Sequence, residues 1–422
     1  MKVPGNYRPR LVDNTIDGLM RAAGAVLVEG PKWCGKTWTG MAHANSAIWV
    51  ADPTSDYLTR RMATSDPLSL LVGERPVLID EWQDAPGLWD AVRLSLDRSP
   101  GTGQFLLTGS ATPRDRAVSH SGTGRIVRTT MWPMTLTEAG VTDGRVSLTG
   151  LLDGQTPPTI RGAWQQSDVI NAVVKGGWPG TIDMPVDDAA KLADNYLQSV
   201  AYVDATQIDG IRRDPTRLAA LLSALARNTS TLVSNVTLAR DMADEAVSTK
   251  TVAHYLDVLR RLHVLHEIPA WAPALRSPVR LRQAPKRILC DPSLAVAGMH
   301  ATRQSLASDP KPLGFLFENL CLRDLSAYAG ALPGAVFHYH DDSQLEVDAI
   351  IQADDGRWMG VEIKLSADKE DAAAAALLAL AAKMANTGQP APAALVILTG
   401  YDGFAHRRPD GVITVPIDQL GM

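Results

Sequence analysis

The sequence predicts a multidomain α/β protein. Three observations carry that expectation: an apolar run that leads into a glycine-rich loop at 25–37, a second apolar run that ends in two carboxylates at 76–81, and a strand–turn–strand pattern followed by an alanine-rich helix and a further strand at 345–398. A length of 422 residues exceeds what one hydrophobic core usually organises. Four segments are expected: a nucleotide-binding core at 1–140, a lid or connector at 141–210, a small helical module at 211–290 and a second α/β domain at 291–422. With 45% hydrophobic and 21% charged residues the composition is that of a globular rather than a disordered chain. The net charge of -5 gives no global attraction to nucleic acid, so any such surface must be local.

The strongest local signal opens with Ala25, Val26, Leu27 and Val28, a short strand run. Gly30-Pro31-Lys32-Trp33-Cys34-Gly35-Lys36-Thr37 follows and spells G-x-x-x-x-G-K-T. Such a loop curls so that successive backbone N–H groups point at phosphate oxygens, and the helix that follows aims its positive end at the same anion. Lys36 is then expected on the β/γ-phosphates of ATP and Thr37 on Mg²⁺, with the rest of the loop and Trp38 as further nucleotide contacts. Cys34 has two readings. A thiol beside a lysine at a helix N-terminus favours the reactive thiolate, which would make ATP binding redox-sensitive. The alternative is a small buried filler.

Pro76-Val77-Leu78-Ile79-Asp80-Glu81 reads as a buried strand ending in two acids. Asp80 is expected to hold the Mg²⁺ and Glu81 to orient or polarise the attacking water. A third strand, Gln104 to Ser110, brings Thr108 and Ser110 to the same region. Here the sequence resembles the AAA+ ATPases. That resemblance implies a polar sensor at the end of this strand, Ser110 or Thr108, and an arginine finger before the fifth strand at 126–131. Arg125 is the candidate finger and Arg128 the reserve; the lid arginine of many AAA+ proteins is not identifiable. A finger supplied by a neighbour would imply a homo-oligomer.

Residues 141–200 are strand-poor, with turns at Asp143-Gly144, Asp153-Gly154 and Gly176-Gly177-Trp178-Pro179 and a helix from Asp187 to Val203. From Pro215 three short helices are expected. Leu218, Leu221, Leu222 and Leu225 face inward on the first, Val236, Leu238, Ala239 and Met242 lie on the second, and Val252, Leu256 and Leu259 face inward on the third. A hairpin follows, 263–268 returning at 287–290. Three helices and a hairpin form the winged-helix arrangement. Lys250, His254 and Arg261 on the third helix, with Asp257 as an intruding acid, and Arg276, Arg280, Arg282 and Lys286 at the hairpin tip are the charges such a module would present to DNA.

In the last segment Leu345 to Ile351 and Trp358 to Lys364 form a second hairpin across an Asp354-Asp355-Gly356 turn. Asp348 and Glu362 meet near one edge, and Lys364 follows on the same face. Two carboxylates that hold Mg²⁺ and a lysine that positions water are the elements of metal-assisted phosphodiester cleavage. Glu318, on a helix from Phe315 to Leu325, is a further metal-ligand candidate. Helix-Glu, strand-Asp, strand-Glu-x-Lys in this order resembles the PD-(D/E)XK nuclease fold, whose remaining core the strand Ala394 to Leu398 would complete.

Taken together the chain resembles a widespread prokaryotic family that joins an N-terminal AAA+ domain to a C-terminal domain of unknown function, with a winged helix and a restriction-endonuclease-like fold. The resemblance implies ATP binding and the fold, with the pathway left open; one reading of the residues is an ATP-hydrolysing enzyme, with ATP and Mg²⁺ as cofactors, that engages DNA and cuts it at the C-terminal site. The alternative is an ATP-gated DNA-binding or docking switch without cleavage. No apolar run of a secretory leader follows Met1, and the longest apolar stretch, 372–382, is about half of what spans a bilayer. Cys34, Cys290 and Cys321 are far apart without a CxxC pair, so a reducing cytoplasm is expected and no membrane partner.

Overall fold

A computed structural model describes residues 5–112, 121–208, 210–244, 247–272 and 283–422. Arg276, Arg280 and Arg282, expected at a hairpin tip, lie outside these residues. The chain divides into two compact units. The first comprises 1–133, 203–213 and 257–264; the second comprises 134–202, 214–256 and 265–422.

The first unit is built on five parallel strands: β1 (Ala25–Glu29), β2 (Ser46–Trp49), β3 (Val77–Asp80), β4 (Phe105–Gly109) and β5 (Ile126–Thr130). Their order across the sheet is β2-β3-β4-β1-β5. Because side chains alternate between faces along a strand, β1 serves two cores at once. Ala25 and Leu27 join the face covered by helix Gly87–Arg98, with Trp82 and Trp89. Val26 and Val28 join the face covered by α1 (Val12–Ala22), with Ile16 and Cys34. This explains the unbroken apolar runs of a strand buried on both sides. Between β1 and α2 (Lys36–His43) lies the glycine-rich loop.

The second unit carries a seven-stranded sheet. Strands β6 (Val146–Ser147) and β7 (Ile160–Arg161) come first in the chain, with helices α3 (Gln166–Lys175) and α4 (Val186–Ser199) after them. Three helices follow as expected, α5 (Pro215–Arg227), α6 (Asn235–Asp241) and α7 (Thr249–Arg261), the last of which belongs to the first unit from Asp257 on, then the antiparallel pair β8 (Leu265–Ile268) and β9 (Lys286–Leu289). Leu218, Leu221, Leu222, Leu225, Leu238, Val252, Leu256 and Leu259 are buried as expected, but Val236 points outward with 67% exposure. His263 takes a left-handed φ of 55°, so the strand begins only at Leu265. Helix α8 (Pro310–Ala331) packs on β10 (Gly334–His340), β11 (Glu346–Ala353) and β12 (Trp358–Ser366). Helix α9 (Glu370–Asn386) then crosses over to β13 (Ala394–Tyr401), which runs parallel to β12. β14 (Phe404–Arg407), β15 (Ile413–Pro416) and β16 (Leu420–Gly421) close the chain. The sheet order is β10-β11-β12-β13-β15-β14-β7.

Of the segment 141–210 expected as a lid or connector, residues up to 202 group with this second unit and 203–210 with the first. Their strands decide this: β6 pairs with β16 and β7 with β14. A buried ionic centre adds to it. Arg323 on α8, 1% exposed, reaches Asp291 at 2.8 Å and Asp324 at 2.7 Å. Asp291 Oδ2 also accepts from the Gly177 N–H at 2.8 Å, and Asp324 Oδ2 from the Leu136 N–H at 3.0 Å. A Cβ on Gly177 would lie 2.1 Å from the Met134 carbonyl oxygen, so only glycine fits between that carbonyl and Arg323. Trp178 donates its indole N–H to Ser293 Oγ at 2.9 Å. The Gly-Gly-Trp-Pro turn is therefore the place where three distant segments converge on one guanidinium.

His338 on β10 is buried at 1% exposure and donates from Nε2 to the Ala284 carbonyl at 3.2 Å when that nitrogen carries the proton. Burial first, then the positive charge of Lys286, pushes it down from 6.5 to about 4. A histidine whose folded value lies below its unfolded one stabilises in the neutral form. That stability is whole above the unfolded value and is lost as pH falls towards the folded one. Between about pH 7 and about pH 4.5 the second unit should lose stability through this residue, up to roughly 3 kcal/mol at full protonation. Denaturant midpoints should show a shallower acid decline in His338→Phe than in the parent; parallel declines would refute the assignment.

Candidate functional site

The end of β1 and the start of α2 form a hollow loop. A Cβ on Gly30 would lie 2.2 Å from the Met131 carbonyl oxygen, so glycine is required there by the passing backbone after β5. Trp33 (φ 69°) and Gly35 (φ 104°) both turn the chain through the left-handed region. Lys36, 4% exposed, donates to the Pro31 carbonyl at 2.7 Å and the Gly30 carbonyl at 3.0 Å, so its ammonium sits inside the hollow. Lys32 is held instead by Asp204 at 2.6 Å, while Trp33 and Trp38 are about 39% and 41% exposed. Cys34 is fully buried, with Sγ 3.7 Å from the Met131 carbonyl oxygen and 3.9 Å from Lys36 Nζ.

The structure brings the carboxylates of β3 to this loop. Thr37 Oγ1 donates to Asp80 Oδ1 at 2.9 Å, and Thr108 Oγ1 donates to the same oxygen at 2.7 Å. Burial raises the Asp80 carboxyl above its usual range; these two hydroxyls and Lys36 oppose the rise, while Glu81 adds to it. Glu81 adopts a left-handed backbone (φ 55°) and its N–H donates to Thr108 Oγ1 at 3.2 Å. Ser110 donates to Glu81 Oε2 at 2.9 Å, and the Gln83 amide donates to that same oxygen. The two sensor candidates thus divide between the two carboxylates: Thr108 holds Asp80 and Ser110 holds Glu81.

Arg125 is placed elsewhere. Its carbonyl accepts from the Ala25 N–H at 3.0 Å, at the opposite end of β1 from the loop, and its side chain pairs with Asp97 at 2.9 Å. That separation, a strand of five residues, is roughly 13 Å or more. Arg128 pairs with Glu29 at 2.8 Å.

Two further residues of this site are not marked by any sequence pattern. Arg10, 7% exposed, donates to the Cys34 carbonyl at 2.8 Å and the Trp132 carbonyl at 2.9 Å, bracing the loop from behind. Gln83 holds Glu81, and only its position two residues downstream could have suggested it.

In the second unit, the register Ala349↔Val361 puts Asp348 opposite Glu362. Asp348 Oδ2 accepts from the Ile363 N–H at 2.8 Å and from Lys364 at 3.0 Å, and Lys364 reaches Glu362 at 2.6 Å. Glu318 on α8 joins the group through another residue. Lys286 on β9, expected at an exposed tip, is 1% exposed and lies 2.6 Å from Glu318 Oε1 and 3.6 Å from Asp348 Oδ1. Burial raises Glu318 to about 7 and Glu362 to about 8, against the pull of the lysines. Asp348 is lowered, since its two lysines and the Ile363 N–H outweigh its burial. Among the described residues, no group of three or more carboxylate, histidine or cysteine side chains converges as a metal site.

On the helical module, Lys250, His254 and Asp257 are exposed. Arg261 is not part of that face: its Nε donates to the Thr112 carbonyl at 2.9 Å, and both residues belong to the first unit. Among the described residues no helix is long and apolar enough to cross a membrane.

Residues 22–140 match the AAA domain family, and 166–305 and 313–420 match two families described as domains of unknown function (DUF8612 and DUF4143). Uncharacterized proteins of Mycobacterium tuberculosis and Mycobacterium bovis are each 27% identical over 411 residues, covering 95% of this chain and 82% of theirs. Among solved structures, the Walker-type ATPase of Pyrococcus abyssi is 11% identical with a TM-score of 0.42, covering 70% of this chain and 97% of its own. The replication initiator DnaA bound to AMPPCP and single-stranded DNA is 13% identical with a TM-score of 0.28, covering 61% of this chain and 90% of its own. Scores this low do not establish a common overall fold. The AAA match over 22–140 coincides with the loop and carboxylates described above and supports an AAA-type ATPase domain there, followed by regions that match domains of unknown function.

Arg10→Met would leave two loop carbonyls without their charged donor, at a cost of about 3 kcal/mol. It should lower the melting point of the nucleotide-binding unit and weaken ATP binding together. Unchanged ATP affinity in the folded variant would show that Arg10 is not needed to shape the loop.

Proposed function

We propose that this chain is an AAA+ ATPase that hydrolyses ATP and couples the nucleotide state to engagement of DNA. The observation that carries the first half is the shared oxygen of Asp80. The hydroxyl of the loop and the hydroxyl of β4 both bind Oδ1, so loop, acid and sensor strand form one connected unit. A hydroxyl beside a carboxylate is a donor set that suits Mg²⁺, and Thr37 and Asp80 would hold it; when bound it offsets phosphate charge. Lys36 binds the β/γ-phosphates. Glu81, steadied by Ser110 and Gln83, orients the attacking water. Lys36→Ala should weaken ATP binding by roughly tenfold or more. Glu81→Gln should bind ATP normally and fail to turn it over. Undiminished turnover in Glu81→Gln would remove the acid from the mechanism.

Arg125, distant from its own loop, acts on a neighbour's phosphate in this reading. Mixing Arg125→Ala with Lys36→Ala should then recover part of the lost activity, and a rate per molecule that does not depend on protein concentration would contradict it.

For the C-terminal region the topology supports a PD-(D/E)XK-like reading: helix, three antiparallel strands, crossover helix and a parallel fourth strand, with Asp348 and Glu362-Ile363-Lys364 on the middle strands. A specific observation favours a switch that grips DNA without cutting it. Each of the buried carboxylates Glu318, Asp348 and Glu362 already has a lysine within ion-pair distance. Three helices and the β8–β9 hairpin are the proposed DNA-holding module, with Lys250 and His254 on its exposed helix face. Under this reading, supercoiled plasmid incubated with protein, Mg²⁺ and ATP is retarded but stays uncut.

A further inference from the structure

We infer that Lys286 is the resident cation of the Glu318–Asp348–Glu362 cluster, holding the place a divalent metal would take and keeping metal out. This rests on the non-cleaving reading of the C-terminal region. The ammonium comes from outside the hairpin that carries the acids, on the strand β9 of the helical module. It is buried at 1% exposure and lies 2.6 Å from Glu318 Oε1, 3.6 Å from Asp348 Oδ1, 3.6 Å from Glu346 Oε1 and 3.4 Å from the Asp348 carbonyl oxygen. Lys364 takes the other side of the cluster, Asp348 Oδ2 and Glu362. Asp348 is therefore gripped from both sides, one lysine per oxygen.

Charge decides the outcome. A divalent ion bound by Asp348, Glu362 and Glu318 would stand within a few ångströms of two ammonium groups in a poorly solvated site, where like charges repel strongly. An ammonium stripped of water is itself stable only while its acids surround it. Lys286 also has no room to swing away by backbone motion. On one side is Pro285, and on the other Arg287 is fixed by its N–H to the Thr231 carbonyl at 3.0 Å. Its guanidinium bonds Glu267, the Val233 carbonyl and Asn235 at 2.8–3.1 Å. The helical module thus fills the acidic cluster of the α/β domain with a covalently tethered cation.

The test is Mn²⁺ titration of the nucleotide-free full-length protein, followed by electron paramagnetic resonance of free Mn²⁺. The parent should bind no Mn²⁺ that depends on Asp348 at millimolar concentration. Lys286→Met should gain one equivalent, lost again in Lys286→Met/Asp348→Asn, while Lys286→Arg should stay metal-free. Should Lys286→Met not fold, Lys286→Gln keeps a neutral donor towards Glu318 while removing the charge and should gain the same equivalent. Parent protein that binds Mn²⁺ and loses it on Asp348→Asn overturns the inference, as does a folded variant without Lys286 that gains none. Plasmid cleavage by the parent in Mg²⁺ would instead overturn the non-cleaving reading, so the two failures are told apart.

Discussion

The guanidinium of Arg323 is the constraint on which the second unit depends. It lies in the middle of the longest helix, fully desolvated, where an unpaired charge would cost several kcal/mol. Asp291 and Asp324 pair with that charge, and each carboxylate also accepts a backbone N–H from a different stretch of chain, Gly177 and Leu136. Regions with no apolar periodicity of their own are thereby given fixed positions. The seven-stranded sheet, whose last strand comes from residues 160–161, is closed on that frame.

The two acid-bearing sites use the same material differently. In the first unit, hydroxyls hold the carboxylates: Thr37, Thr108 and Ser110 orient Asp80 and Glu81 and add no charge. Under the proposed function, a site arranged this way keeps its negative potential for a cation that would arrive with the nucleotide. In the second unit, ammonium groups hold the carboxylates, and the potential is largely spent inside the protein. Whether the acids are steadied by neutral or by charged donors thus separates a site that attracts an ion from one that does not need it.

Much of the first unit was legible because its signals are local. Parallel strands buried on both faces give unbroken apolar runs, and a phosphate loop has a fixed spacing, so β1, β3 and β4 and the residues at their ends followed from the letters. The hairpin of Asp348 and Glu362 was legible for a similar reason, since a period of two sets who faces whom. The misses are long-range. Lys286 reads as a solvated cation beside Arg287, and only the arrival of Glu318, 32 residues on, makes its burial possible. Residues 141–210 read as a lid or connector from their position alone, and the strand partners of 146–147 and 160–161 lie at 404–421, beyond the reach of any local pattern. Arg261 sits on a helix face that suggests a ligand, but its partner Thr112 is 149 positions earlier.

The weave of the chain bears on how it is made. The first unit is not contiguous: it is complete only when 203–213 and 257–264 have been added to 1–133. The second waits still longer, since β6 pairs with Leu420 and Gly421 at the very end. The strands of its sheet are all laid down by residue 130, whereas the segments 203–213 and 257–264 follow only after much of the second unit has been read. The two units are interleaved along the chain, and neither can be completed from one uninterrupted stretch of sequence.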